Sequence, residues 1–175
     1  MTRKTVFLVE SKEDLIQCPS CDGDLRPRDR KLRSYLDDGR VKRYLSIRRL
    51  KCVSCGKHHN ELPDMLSPYK HYKTTVIEDV IMESEHSDEL PFEDYPCEGT
   101  MERWVRWIAR NITQIDGYLR SITYRILDCG DLFLKEDSSL LRELQKNRNG
   151  WLGKINRIIY NSGGFMPLSN APTLL

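Results

Sequence analysis

Four of the six cysteines stand in two C-x-x-C pairs, Cys18 with Cys21 and Cys52 with Cys55, and 30 residues separate the pairs. This pattern limits the fold more than any other feature. A C-x-x-C turn lets two sulfurs converge on one ion while backbone N–H groups support their charge, so two turns supply a tetrahedral site of four thiolates. In a reducing compartment such thiols are metal ligands more readily than disulfides. The spacing therefore predicts one structural Zn2+ held by Cys18, Cys21, Cys52 and Cys55, with no position left open for catalysis. A redox C-x-x-C would need a βαβ setting, which the flanking residues do not suggest. His58 and His59 follow the second pair, and either offers an alternative ligand in place of one cysteine. Cys97 and Cys129 read as ordinary semi-buried thiols.

The intervening residues must form a long hairpin. Leu25 to Tyr35 and Arg40 to Lys51 are basic runs broken by Asp37-Asp38-Gly39, whose Asp-Gly pair is a strong turn signal. In the second run Val41, Tyr44 or Leu45, Ile47 and Leu50 suit a strand with one buried side. Thr5 to Glu10 reads as a further short strand. The expectation for residues 1–62 is a zinc ribbon built on small antiparallel β structure.

Net charge is only +2, but the distribution is uneven. Residues 26 to 57 hold 12 Lys and Arg against Asp29, Asp37 and Asp38, a local +9. Residues 83 to 98 hold seven carboxylates and no Lys or Arg, a local −7. Like charges opposed on paired strands destabilise a sheet unless something neutralises them. The basic hairpin thus points to a phosphate backbone, with Arg30, Lys31, Arg33, Arg43, Arg48, Arg49 and Lys51 as candidate contacts. The acidic stretch reads as a solvated face.

Residues 63–162 turn helical after a connector punctuated by Pro63 and Pro68. Thr74 or Thr75 caps a helix with Val76, Ile77, Val80 and Ile81 on one face. After the acidic stretch a long helix follows, with Met101, Trp104, Val105, Ile108, Ile112, Ile115, Leu119, Ile122 and Ile126 at 3.6-residue spacing and Gly117 as its weak point. Arg103, Arg106 and Arg110 line another face, the layout of a recognition helix or of a solvated bundle helix. Ser138 to Arg148 and Trp151 to Asn161 read as two more helices, and residues 163–175 as an irregular tail. The fold class is α+β: ribbon first, then an all-α helix-turn-helix or helical bundle.

The runs C-P-S-C at Cys18, R-R-L-K-C-V-S-C-G-K-H-H at Arg48, L-P-D-M-L-S-P-Y-K-H-Y at Leu62 and V-I-E-D-V at Val76 resemble small bacterial proteins of an uncharacterised, transposase-like zinc-ribbon family. So do D-Y-P-C-E-G-T-M-E-R-W-V-R-W-I at Asp94 and G-W-L-G-K-I-N-R-I-I-Y-N-S at Gly150. The resemblance implies a zinc ribbon followed by a helix-turn-helix, as in the DNA-end-recognising part of insertion-sequence transposases, without their catalytic half. By that likeness the four cysteines match the zinc ligands, and Cys97 to Arg110 match the recognition element. Cys97 stands where Ser or Thr would cap the helix better.

The expected function is a non-catalytic, double-stranded DNA-binding protein of a mobile element or phage. An alternative is an adaptor or inhibitor docking on a recombinase or other nucleic-acid enzyme. A metal-dependent nuclease around His58, His59 and Asp64 ranks below both, because paired carboxylates, a phosphate loop and a nucleophile motif are all missing. No apolar run approaches the roughly 18 residues of a membrane span, and Val6 to Val9 is too short for a signal core, which leads to the expectation of a soluble, cytoplasmic protein.

Overall fold

The computed structural model describes residues 5–11, 17–37, 41–83, 96–127, 139–146 and 149–166. The chain divides into two compact units, Met1–Lys73 and Thr74–Leu175.

The first unit is a mixed four-stranded sheet. β2 (Leu25–Leu36) and β3 (Lys42–Cys52) pair antiparallel as the long hairpin. β1 (Val6–Val9) joins the other edge of β3 in parallel, with Val6 opposite Tyr44 and Val9 opposite Ile47. β4 (His58–Asn60) pairs antiparallel with the end of β3. The expected antiparallel ribbon is corrected on this point. β3 carries Leu45 and Ile47, both buried, and β1 covers its open edge while laying Val9 against the same core. The Asp38-Gly39 turn lies outside the described residues, but Asp37 N–H donates to Val41 C=O at 3.0 Å and closes the hairpin ahead of it.

Tyr35, Leu45, Ile47 and Leu66 form the core of this unit, with Val9, Leu62 and Met65 against them. The connector after Leu62 packs on the sheet, because Leu66 is fully covered and Leu36 N–H donates to His71 C=O at 2.7 Å. β2 and β3 change register between Pro27 and Asp29, which leaves Arg28 in a bulge. Proline removes one ladder donor, and a bulge absorbs that loss.

Among the described residues the second unit has four helices: α1 (Thr74–Glu83), α2 (Glu98–Leu127), α3 (Leu140–Lys146) and α4 (Trp151–Asn161). α2 runs unbroken through Gly117, since burying Trp104, Ile108, Ile115, Leu119 and Ile122 outweighs the roughly 1 kcal/mol that one helical glycine costs. Trp107, the residue after Arg106, is buried as well. Ile126 and Cys129 fall outside the described side chains, and the acidic stretch lies mostly within residues 84–95, also outside them. α1 and α2 are separated by residues 84–97, far more than the 3–4-residue turn of a compact helix-turn-helix.

Glu78 is a buried residue that periodicity did not single out. Its carboxylate accepts N–H bonds from Gly150 (2.8 Å) and Leu152 (2.7 Å), filling the role of a cap for α4, whose N-cap is Gly150 in the left-handed region. Burial raises the Glu78 pKa, and those amides oppose the rise. Among the described residues no helix is long and apolar enough to cross a membrane.

Candidate metal centre and basic sheet

The two knuckles adopt one conformation. Asp22 N–H donates to Cys18 C=O at 2.8 Å, and Gly56 N–H donates to Cys52 C=O at 3.1 Å. The residue after each second cysteine is left-handed, Asp22 at φ 55° and Gly56 at φ 71°. Glycine takes that region freely and aspartate tolerates it better than most residues, so the two sequences reach the same turn. The knuckles face each other because β2 begins just after the first and β3 runs into the second, and Val53 N–H donates to Asp24 C=O at 3.0 Å between them.

Four sulfurs converge as a result. Cys18 Sγ lies 3.7 Å from Cys55 Sγ, Cys21 Sγ lies 3.5 Å from Cys52 Sγ, and all four ligand atoms fall within 4.8 Å of one another. A regular tetrahedron with 2.3 Å metal–sulfur bonds has sulfurs about 3.8 Å apart, so the donor set fits one tetrahedral ion. The cysteines are free of disulfides, and they are the one His/Cys/Asp/Glu group of this kind among the described residues. Cys18 and Cys52 are buried, while Cys21 and Cys55 face solvent.

Protons are shared unequally in the cluster. The Cys55 backbone N–H holds the Cys52 thiol down at about 6 against the cost of burial, helped by the Cys21 and Cys55 thiols and the Ser54 amide. The Gly23 amide pulls Cys21 down, but the Cys52, Cys55 and Cys18 sulfurs push it up to about 12. None of these causes is a cationic side chain. His59 Nε2 lies 3.4 Å from Cys18 Sγ, close enough to donate to a thiolate, and burial lowers the His59 pKa. An imidazole so placed supports a ligand from outside the coordination shell. His58 turns away and accepts from Arg28 Nη1 at 2.8 Å. Asp64 lies in an exposed turn, and the three residues of the nuclease expectation do not converge as a metal-ligand group.

The basic sheet is more neutral than its sequence. Arg30 and Arg48 are opposed across β2 and β3, but Arg30 pairs with Glu10, and Arg48 makes two 2.9 Å bonds to Glu61. Arg49 pairs bidentately with Asp29, which holds the Asp29 carboxyl below its ordinary range. Arg43 bonds Asp37 at 3.2 Å. Arg33 is turned inward: its Nη2 donates to Lys70 C=O at 2.6 Å and Ser67 C=O at 3.5 Å, and its buried Nε has no partner among the described residues. Lys31 and Lys51 are exposed and make no side-chain ion pair among the described residues. Of the carboxylates that pair with this sheet, Asp29 and Asp37 lie inside the 26–57 window, but Glu10 and Glu61 lie outside it, so a window count of charge missed these two.

On α2, Arg103, Arg106 and Arg110 are exposed. Arg103 Nη2 donates to Thr100 Oγ1 at 2.7 Å, and Arg106 pairs with Glu102 one turn back. Cys97, expected to be semi-buried, is exposed at the start of α2, and the Thr100 hydroxyl 3.3 Å away lowers its pKa.

Residues 18–104 match the profile of a domain of unknown function (DUF6431), a span that begins at the first cysteine of the cluster and ends early in α2. No curated protein and no solved structure matches the chain.

Proposed function

We propose that the protein is a non-catalytic DNA-binding protein whose first unit is held by one structural zinc ion on Cys18, Cys21, Cys52 and Cys55. The observation that carries this reading is a strand pair bearing a local +9 charge and anchored on four convergent thiolates. Zinc is the metal of choice, since a closed four-sulfur set suits a d10 ion without redox chemistry. With all four positions filled by protein, the ion stabilises the fold. The resemblance to transposase-like zinc-ribbon proteins favours duplex DNA of a mobile element or phage as the partner. Arg103, Arg106 and Arg110 on α2 are the groove-reading candidates, and the sheet supplies contacts to phosphate.

The test is the affinity of the zinc-loaded protein for a random-sequence duplex as salt is varied. A slope equivalent to several released counterions supports the reading, and no binding at low salt sinks it.

One observation favours the adaptor reading instead. Val6, Leu8 and Leu32, 43%, 71% and 58% exposed, lie on the sheet face opposite the core, and the nearby Arg30 and Arg48 are already paired. An apolar centre with a satisfied polar rim is the anatomy of a protein interface. A complex with a nucleic-acid enzyme that survives high salt would support this reading.

A further inference from the structure

Resting on the DNA-binding reading, we infer that the phosphate grip lies at the metal end of the hairpin, in a groove formed by Arg26, Arg28 and Lys51 beside the second knuckle, and that it takes the phosphodiester backbone of a nucleic acid. The groove is open, with a volume of about 650 Å³, and Pro27, Val53, Ser54, Gly56 and the cluster cysteines Cys52 and Cys55 complete its walls.

Charge pairing singles out this place. Four arginines further along the strands each pair with a carboxylate, as described above. Arg26 and Lys51 stand directly opposite each other on β2 and β3, both exposed, and their side chains make no ion pair among the described residues. Like charges in direct register cost stability, so this pair is the part of the sheet that gains most from an anion. Arg28 sits in the bulge between Pro27 and Asp29, out of the regular alternation of faces. Bulges re-aim side chains in this way, and His58 fixes the result by accepting from Arg28 Nη1 at 2.8 Å. Asp29, 3.9 Å from Arg28 Nε, is engaged by Nε and Nη2 of Arg49. Three guanidinium and ammonium groups in an open groove match a row of phosphates, each contact releasing about one counterion.

The experiment uses the full zinc-loaded chain. Duplex affinity is measured against salt for wild type, for Arg26→Gln combined with Lys51→Gln, and for Arg49→Gln. The cobalt–thiolate absorption of each variant shows that the cluster is intact. The groove variant is expected to lower the slope of log affinity against log salt by about two, with Arg49→Gln near wild type. If wild type binds and the groove variant keeps the full slope, the groove assignment is overturned while the DNA-binding reading stands. If wild type binds no duplex, that reading fails, and the groove is titrated with pyrophosphate while the amides of Arg26, Arg28 and Lys51 to Gly56 are followed by NMR. Shifts confined to those amides keep the groove as a site for small phosphate esters. Unchanged amides overturn it.

Discussion

A methyl group on Gly23 would lie 2.8 Å from Ser54 Cβ, closer still to Ser54 Oγ, and 3.3 Å from Cys52 Sγ. The first knuckle can therefore approach the second only because residue 23 has no side chain. Gly23→Ala is expected to push the knuckles apart and lower metal affinity, with a stability loss of about 1–3 kcal/mol. Ser54→Gly removes both obstructing atoms of that residue and should restore most of the loss in the double variant. Competition against a zinc chelator measures it, and a double variant no better than Gly23→Ala would place the defect elsewhere.

Metal removal should act on one unit. The core of the first unit is small, centred on Tyr35, Leu45, Ile47 and Leu66, whereas structural zinc contributes about 10–16 kcal/mol where a site forms only on folding. Chelation should abolish the β signal and leave the helical signal of α1 to α4, followed by circular dichroism. Cobalt reconstitution should give the spectrum of four thiolates, and His59→Phe should weaken binding without changing that spectrum, because His59 lies against Cys18 Sγ and outside the four-sulfur group. A blue shift toward a three-sulfur, one-nitrogen spectrum in wild type would instead make histidine a ligand.

Glu78 makes the helical unit sensitive to pH. Its folded pKa is raised above the ordinary value of about 4.5, chiefly by burial. The folded chain thus holds the proton more tightly than the unfolded chain. This group's contribution is fully present below about pH 4.5, declines as pH rises through the raised folded value, and stays lost above it. Thermal unfolding of wild type and Glu78→Gln across that range should show the variant with a flatter profile, offset by roughly 1 kcal/mol for the weakened Gly150 or Leu152 bond. Parallel profiles would mean that Glu78 does not titrate in this window.

Arg33 should prove to be a structural residue. Its guanidinium clamps the carbonyls of Ser67 and Lys70, and burial lowers its pKa. Lysine cannot reproduce that two-carbonyl geometry, so Arg33→Lys is expected to destabilise the first unit by about 1–2 kcal/mol. Affinity for duplex per folded molecule should stay unchanged. A loss of affinity without a loss of stability would return Arg33 to the set of phosphate contacts.

Much of the scaffold was legible in the chain itself. Cys18, Cys21, Cys52 and Cys55 announce their cluster because a C-x-x-C turn is a local geometry, set within four residues. The apolar stripe of α2 and the start of α4 after Asn149-Gly150 are likewise local patterns, read from side-chain period and backbone freedom. What the tertiary structure decided depends on distant residues meeting. β1 pairs in parallel with β3, which no local pattern encodes. Arg30, Arg43, Arg48 and Arg49 look alike in sequence as phosphate contacts, yet each meets a carboxylate, from as near as Asp37 to as far as Asp29 and Glu10, that only strand register and the bulge at Arg28 bring to it. Charge and burial are properties of neighbours in space. The sequence alone therefore determined where the four-cysteine cluster and the helices form, and the fold decided which of the hairpin's cations meet a carboxylate.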